Sequence, residues 1–336
     1  MKDQNIPFEG AIRWGYAFNQ WKLGWQGFAR VDDNIRALKI TSASGFRCIE
    51  LTAGTGPWDP LGRPESIAQH FGSVRKFAAQ LDDWGIARIP GVFFDPGQLS
   101  FEEGHFGLCA TDRADHALIR QQAGVHARFV ADVGGEYLVI QAFPPYWRAG
   151  QLTAAALSAV ADLINAIAQD NRSLGLETFI HLDALSSLRA AEQIEALLEQ
   201  CPAPGIGLAF DTAELTIAGH DVVGLYRRFH SRVRHFHFKD ALAVDTLEEY
   251  RLPNAERALI LAGGRREIPR WFGELGTGLV DFKSLLGAMH ELDYRGWVIV
   301  ESDRGPQPVA SSILLNSWYV QQVLRPLQNR PLPDTR

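Results

Sequence analysis

Three cysteines, Cys48, Cys109 and Cys201, are all that 336 residues contain, and they lie far apart in the chain. An odd number with no C-x-x-C spacing excludes a disulfide framework and a cysteine-built zinc site, and fits a reducing compartment. No window approaches the run of about 18 apolar residues that a membrane span needs, and the opening MKDQNIPFEGAIRW lacks the apolar core of a signal peptide. The expectation is a cytoplasmic protein with no membrane partner. Basic residues are the minority: 33 Lys and Arg against 39 Asp and Glu leave a formal net charge of -6. A duplex-binding face needs clustered cations to displace phosphate counterions, so no nucleic-acid partner is expected. Low-complexity runs, Pro/Gly/Ser linkers and a phosphate-binding glycine loop are missing as well.

What is present is apolar material in a regular rhythm. At 46% hydrophobic and 21% charged, the chain can bury one large core, and the simplest division is one domain over 1–336 with a short tail around 327–336. Short apolar runs alternate with longer amphipathic ones. AIRWGYAF, FRCIELTA, ARIPGVFF, EYLVIQAF, LETFIHLD, IGLAFDTA, VRHFHFKD and GWVIVESD read as strands, and segments such as SIAQHFGSVRKFAAQLDDWG and TAAALSAVADLINAIAQDNRSLG read as helices. Gly45, Gly85, Gly135, Gly175 and Gly296 precede strands, as left-handed helix caps do. Eight such units imply an α/β fold, a single closed (β/α)8 TIM barrel; a doubly wound open sheet would carry the absent glycine loop.

In that fold the chemistry sits where the strands end. The strand ends supply Asn19 and Gln20, Glu50, Asp95, Gln141, His181 and Asp183, Asp211 and Glu214, His235, His237 and Lys239, then Glu301, Asp303 and Arg304. Period-two alternation puts His235, His237 and Lys239 on one face and Phe236 and Phe238 on the other, and likewise pairs His181 with Asp183 and Glu301 with Asp303. Imidazole nitrogen with carboxylate oxygen suits one divalent ion, Mn first, with Co, Fe, Zn or Mg as alternatives. Blander readings stand beside this one. Asp211 or Thr212 would cap a helix, with Glu214 closing a capping box, and Lys239 would pair with Asp240. Trp21, Trp58 and Trp147 fall in loops beyond strand ends and serve either packing or a sugar face.

GLAFDTAELTIAGHD, RHFHFKD and GWVIVESD, in that order, resemble the metal-site blocks of the xylose-isomerase-like TIM-barrel superfamily, which holds sugar isomerases, epimerases, inosose dehydratases and an endonuclease branch. The resemblance implies Asp211, His237 and Glu301 as three metal ligands, with His181 where the epimerases have a glutamate and Asp183 where inosose-dehydratase-like chains have a second histidine. Glu214 stands where many relatives have a histidine, which argues against the multi-metal endonuclease site. It further implies a metal-dependent isomerase or epimerase working through an enediolate on a keto-sugar or cyclitol. Asp183, Glu301 and Lys239 would be catalytic, and Glu50, Trp21, Gln141, Trp147, Glu214 and Arg304 would contact substrate. The extra stretch around 241–278 and the aromatic AFPPYWRAG leave room for a lyase acting on 3-keto-glycosides or an inosose-type dehydratase. A homo-oligomer or a small partner subunit fits that branch, and a metal-free sugar-binding barrel is the non-enzymatic alternative.

Overall fold

The structure, a computed structural model, describes residues 12–21, 30–53, 61–98, 107–202, 204–253, 255, 271–303 and 307–328, with only the backbone at 20 and 21. Each anticipated apolar run forms a strand: β1 (Ile12–Ala17), β2 (Ile49–Thr52), β3 (Gly91–Phe94), β4 (Tyr137–Ile140), β5 (Glu177–Leu182), β6 (Ile206–Asp211), β7 (Val233–Phe238) and, after a short ribbon of β8 (Asp240–Ala241) with β9 (Phe272–Gly273), β10 (Gly296–Val300). The barrel closes in the order β1-β10-β7-β6-β5-β4-β3-β2, and every neighbour pairs in parallel. It is a (β/α)8 barrel. Among the described residues, no helix is long and apolar enough to cross a membrane.

Helices return the chain outside the strands, among them Val31–Ala43, His116–Asp132, Ala154–Ser173, Ala191–Gln200, Val222–Phe229, Phe282–Glu291 and Val309–Tyr319. In Ala154–Ser173 the Thr153 side chain caps the first turn, and Leu157, Val160, Ala161, Ile164 and Ala168 form one buried stripe. The segment expected as a single helix after β2 is two, Pro64–Phe71 and Val74–Gln80. Gly72 turns left-handed at φ 82, and Ser73 then accepts from Lys76 N to start the second helix. The glycine expectation holds at Gly45, Gly85 and Gly175, which all have positive φ. It shifts to Gly134 in the Gly134-Gly135 pair, and fails at Gly296, which opens β10 where any Cβ would collide with the Arg234 backbone oxygen.

Two apolar layers result. Outward, Phe236 and Phe238 pack on Tyr226, Tyr294 and Phe282. Inward, Ala17, Cys48, Tyr137, Val139, Phe179, Ala209, Trp297 and Ile299 fill the barrel below its mouth. A register irregularity makes this sorting work on β7. Leu208 pairs with Val233, but Ala209 pairs with His235, so Arg234 is an extra residue. The bulge reverses the alternation once: Val233 joins the outer core, while His235 and His237 turn inward beside Ala209 and Asp211.

The stretch after β7 is anchored at both ends. β8 pairs antiparallel with β9, and the buried Asp240 carboxylate accepts from the backbone N–H groups of Ala241, Gly276, Gly278 and Val280. The expected Lys239–Asp240 ion pair is therefore not what forms, because Asp240 is consumed in closing this loop. Residues 254 and 256–270 of the stretch lie outside the described residues, as does the tail beyond 328.

Candidate metal and acid–base site

Four strands deliver their end residues to one point. His181 closes β5, Asp211 closes β6, His237 lies in β7 and Glu301 follows β10. His181 Nε2 is 3.7 Å from Asp211 Oδ2, and His237 Nδ1 is 3.9 Å from the same oxygen and 3.0 Å from Glu301 Oε2. The ligand atoms offered by His181, Asp211 and His237 lie within 4.8 Å of one another. His181 Nε2, Asp211 Oδ2 and His237 Nδ1 are buried and make no hydrogen bond.

The opposite end of each side chain is tied down. His181 Nδ1 bonds Gln141 Oε1 at 2.9 Å, and Gln141 Nε2 donates to Phe143 O, which orients the amide. His237 Nε2 bonds Glu50 Oε1 at 2.7 Å. Asp211 Oδ1 accepts from Ala213 N and Glu214 N as the cap of helix Thr212–Ile217. Glu301 Oε1 accepts from Asn19 Nδ2 at 2.6 Å. Carboxylates and the oriented amide oxygen accept, so His181 Nδ1 and His237 Nε2 are the tied donors and His181 Nε2 and His237 Nδ1 are left to face the centre. Burial would lower the His237 pKa, but the Glu301 and Glu50 carboxylates hold it well above the usual histidine value. Of the three atoms only Asp211 Oδ2 has a cation beside it, Lys239 Nζ at 3.0 Å. Such converging groups are costly in a dry interior, and two imidazoles and two carboxylates match the donor set of a borderline divalent ion with outer contacts in place. The residues present fit one such ion.

Beside this centre stands a buried ammonium. Lys239 Nζ lies 2.6 Å from Asp303 Oδ2, 3.0 Å from Glu214 Oε1, 3.0 Å from Asp211 Oδ2 and 3.9 Å from Glu301 Oε2, and 4.7 Å over the Phe272 ring. Burial alone would neutralise it, but Asp211, Asp303, Glu301 and Glu214 hold its pKa well above the usual lysine value. The acids respond in two ways. For Asp211 and Glu301, burial is outweighed by Lys239 and the imidazoles, so both titrate below the ordinary carboxylate range. Burial raises Asp303 to about 6 against the pull of Lys239. Burial, then the Glu214 charge, drive Asp183 well above the usual value, although its Oδ1 accepts from Leu185 N at 2.6 Å.

Other expected residues fall at different depths. The capping box is half formed: Asp211 caps, but Glu214 turns away to accept from Ala184 N through Oε2 and from Lys239 through Oε1. Glu50 and Gln141 sit behind the imidazoles, Glu50 at 1% exposure. Trp147 lies on the short helix Tyr146–Ala149 rather than in a loop, packed with Tyr146 against Leu185, Tyr250 and Ala255. The Trp21 side chain, Trp58 and Arg304 lie outside the described residues. Asn19, Tyr137 and His235 carry contacts for which the sequence reading gave no role. Asn19 and His235 already stood among the strand ends, and Tyr137 shares the inward parity of Gln141.

Known proteins place this geometry in context. One stretch of 135 residues is 29% identical to an inosose dehydratase of Lacticaseibacillus casei, covering 40% of this chain and 43% of that one. The match thus spans less than half the length of that relative. The fold superposes on a D-allulose 3-epimerase from Methylomonas sp. in complex with D-allulose, with TM-score 0.66 at 16% identity over 93% of this chain and 97% of that one. A probable 3-DHS dehydratase involved in petrobactin synthesis from Bacillus anthracis also gives TM-score 0.66, at 13% identity over 92% and 98% of the two chains. The model of the family described as xylose isomerase-like TIM barrel matches residues 38–317, a span that takes in β2 to β10 and all four converging side chains, and the chain belongs to that family.

Proposed function

We propose that this protein is a divalent-metal-dependent enzyme that removes the proton next to the carbonyl of a keto-sugar or cyclitol and then expels a β-substituent, a lyase of the dehydratase kind. The observation that carries the metal reading is the convergence of three buried ligand atoms that make no hydrogen bond, each on a side chain whose other end is fixed. His181, Asp211, His237 and Glu301 would hold the ion. When bound, the ion supplies a Lewis acid that lowers the cost of enediolate charge.

The chain's own groups do the rest. Glu301 is held ionised beside Lys239 and takes the α-proton at its carboxylate. The C–H electrons become the enediolate double bond, and the Lys239 ammonium shares the oxyanion charge. Asp183, kept in its acid form by burial and Glu214, donates its proton to the departing group as the carbon–oxygen bond breaks, so hydroxide leaves as water. Elimination is favoured over isomerisation or epimerisation by the first ligand position. An imidazole, His181, stands there in place of a glutamate, so the site has one ionised carboxylate, Glu301, and one carboxylic acid, Asp183, in place of two interchangeable bases. The likeness to inosose dehydratases supports the same choice.

A larger substrate, a 3-keto-glycoside losing its aglycone, draws support from the rim. Tyr146, which opens the short helix Tyr146–Ala149 after β4, meets Tyr250 from the stretch after β7 edge-on at 5.1 Å, and Arg189 stacks 3.7 Å over Tyr250. The test is incubation of Mn-loaded protein in D2O with an inosose, a free ketohexose and a 3-keto-glycoside, followed by NMR. An unsaturated ketone with loss of water or aglycone is the expected product. Epimer or isomer carrying solvent deuterium would replace the elimination step, and no exchange on any of the three would refute the reading.

A further inference from the structure

Two groups of potential ligands share His237. One is His181, Asp211 and His237; the other is Glu50, His235 and His237. Hydrogen-bond lengths tell them apart. In the second group Glu50 Oε1 bonds His237 Nε2 at 2.7 Å and Glu50 Oε2 bonds His235 Nε2 at 2.8 Å, while Tyr137 OH donates to Oε2 at 2.9 Å. Those are donor–acceptor separations with the protons in place, and they leave no lone pair of either imidazole aimed at the carboxylate. In the first group the atoms stand 3.7 to 3.9 Å apart and unbonded.

We infer that Glu50 is a positioning residue that sets the metal-binding tautomer of His237, and that it does not touch substrate; this rests on the metal reading above. The geometry allows little else. Glu50 lies below the centre, 1% exposed, and reaches from β2 to β7 across the barrel interior. Accepting from His237 Nε2–H leaves Nδ1, the nitrogen that faces Asp211 and Glu301, as the one that can offer a lone pair to an ion. His235 and Tyr137 take up the second carboxylate oxygen, so the carboxylate cannot rotate away. Gln141 does the same for His181 with a neutral amide, which orients the ring without adding charge.

The decisive substitution is Glu50→Gln. A carboxamide has one accepting oxygen and one donating NH2, yet it would face two N–H donors, so one imidazole must move its proton to Nδ1. When that imidazole is His237, the ligand lone pair is lost. Mn and Zn affinity of the full chain is measured by competition with a chromophoric chelator, with Co absorption as a report of ligand geometry and circular dichroism as a check of folding. The account expects Glu50→Gln to bind about 10- to 100-fold more weakly with an altered Co spectrum. Tyr137→Phe, which removes one support from the carboxylate and leaves both imidazoles intact, is expected to weaken binding a few-fold, and it decides the matter should Glu50→Gln not fold. Native affinity and spectrum in a folded Glu50→Gln, or in Tyr137→Phe where that variant decides, would overturn this inference while leaving the metal reading intact. A native chain that binds neither ion would overturn both.

Discussion

At the floor of the barrel the Glu136 carboxylate takes hydrogen bonds from Arg13 at 2.5 Å, from Arg88 and from Trp297 Nε1 at 3.1 Å, and the Arg13 guanidinium covers the Trp297 ring at 4.5 Å. At the mouth His181 Nε2, Asp211 Oδ2 and His237 Nδ1 make no hydrogen bond, although they are more deeply buried and ion-pair contacts from Lys239 and Glu301 reach the last two. Polar groups are tolerated in an interior when they are satisfied, and the floor follows that rule with one carboxylate closed by cations and an indole. The mouth departs from it at three converging atoms. What marks the mouth off from the floor is that such atoms cluster there on side chains whose other ends are fixed.

The strongest way to break the contrast is to remove its centre. His237→Ala should reduce metal content from about one ion per chain to background and abolish α-proton exchange, while the fold persists because the outward Phe236 and Phe238 are untouched. Asp211→Asn should lose the ion as well but keep the cap on Thr212–Ile217, since an amide oxygen still accepts there. Without metal it should lose stability only through the Lys239 contact, and less than Lys239→Met, because three other acids remain around that ammonium. Native metal content in Asp211→Asn would detach Asp211 from the ligand set.

Lys239→Met comes next in size. It leaves Asp211, Glu214, Asp303 and Glu301 around a vacated cation position, and a loss of about 3 to 5 kcal/mol is expected in urea unfolding. A loss below about 1 kcal/mol would mean that the acids relax toward solvent.

A pH experiment sharpens the comparison further. Burial between Tyr137 and Phe179 pushes His235 down to about 4 in spite of Glu50, against an unfolded value of 6.5. The unfolded chain therefore binds the proton first. Stability from this group is complete above pH 6.5, and roughly 3 kcal/mol drains away as pH falls toward 4. Replacing His235 by Gln should flatten that acid limb in urea melts recorded from pH 7 to 4, and an unchanged slope would remove His235 as its source. The smallest effect belongs to the floor: Glu136→Gln should cost about 1 kcal/mol and leave metal content unchanged.

How much of this was legible before the structure follows from the range of the forces. All eight barrel strands lie inside the runs read from the sequence, because strand alternation and turn glycines are local. The inward set of His181, His237 and Lys239 follows from the same period. The β7 bulge at Arg234 was not legible, since one extra residue leaves no mark in composition, and without it Val233 would share a face with His235. The role of Glu50 was hidden for a different reason. Its partners lie 185 and 187 residues away and meet it only when the barrel closes, so a strand-end carboxylate read as a substrate contact sits behind the imidazoles. Asp240 likewise looked like the neighbour of Lys239 and turned out to hold the loop at Gly276 to Val280.

Whether the four strand ends hold an ion is decided by elemental mass spectrometry of the native chain, His181→Ala and His237→Ala, each purified without added metal and again after soaking in Mn. About one divalent ion per native chain and none above background in either variant is expected. Native protein free of metal after soaking, or variants that retain it in full, would remove this site as a metal centre.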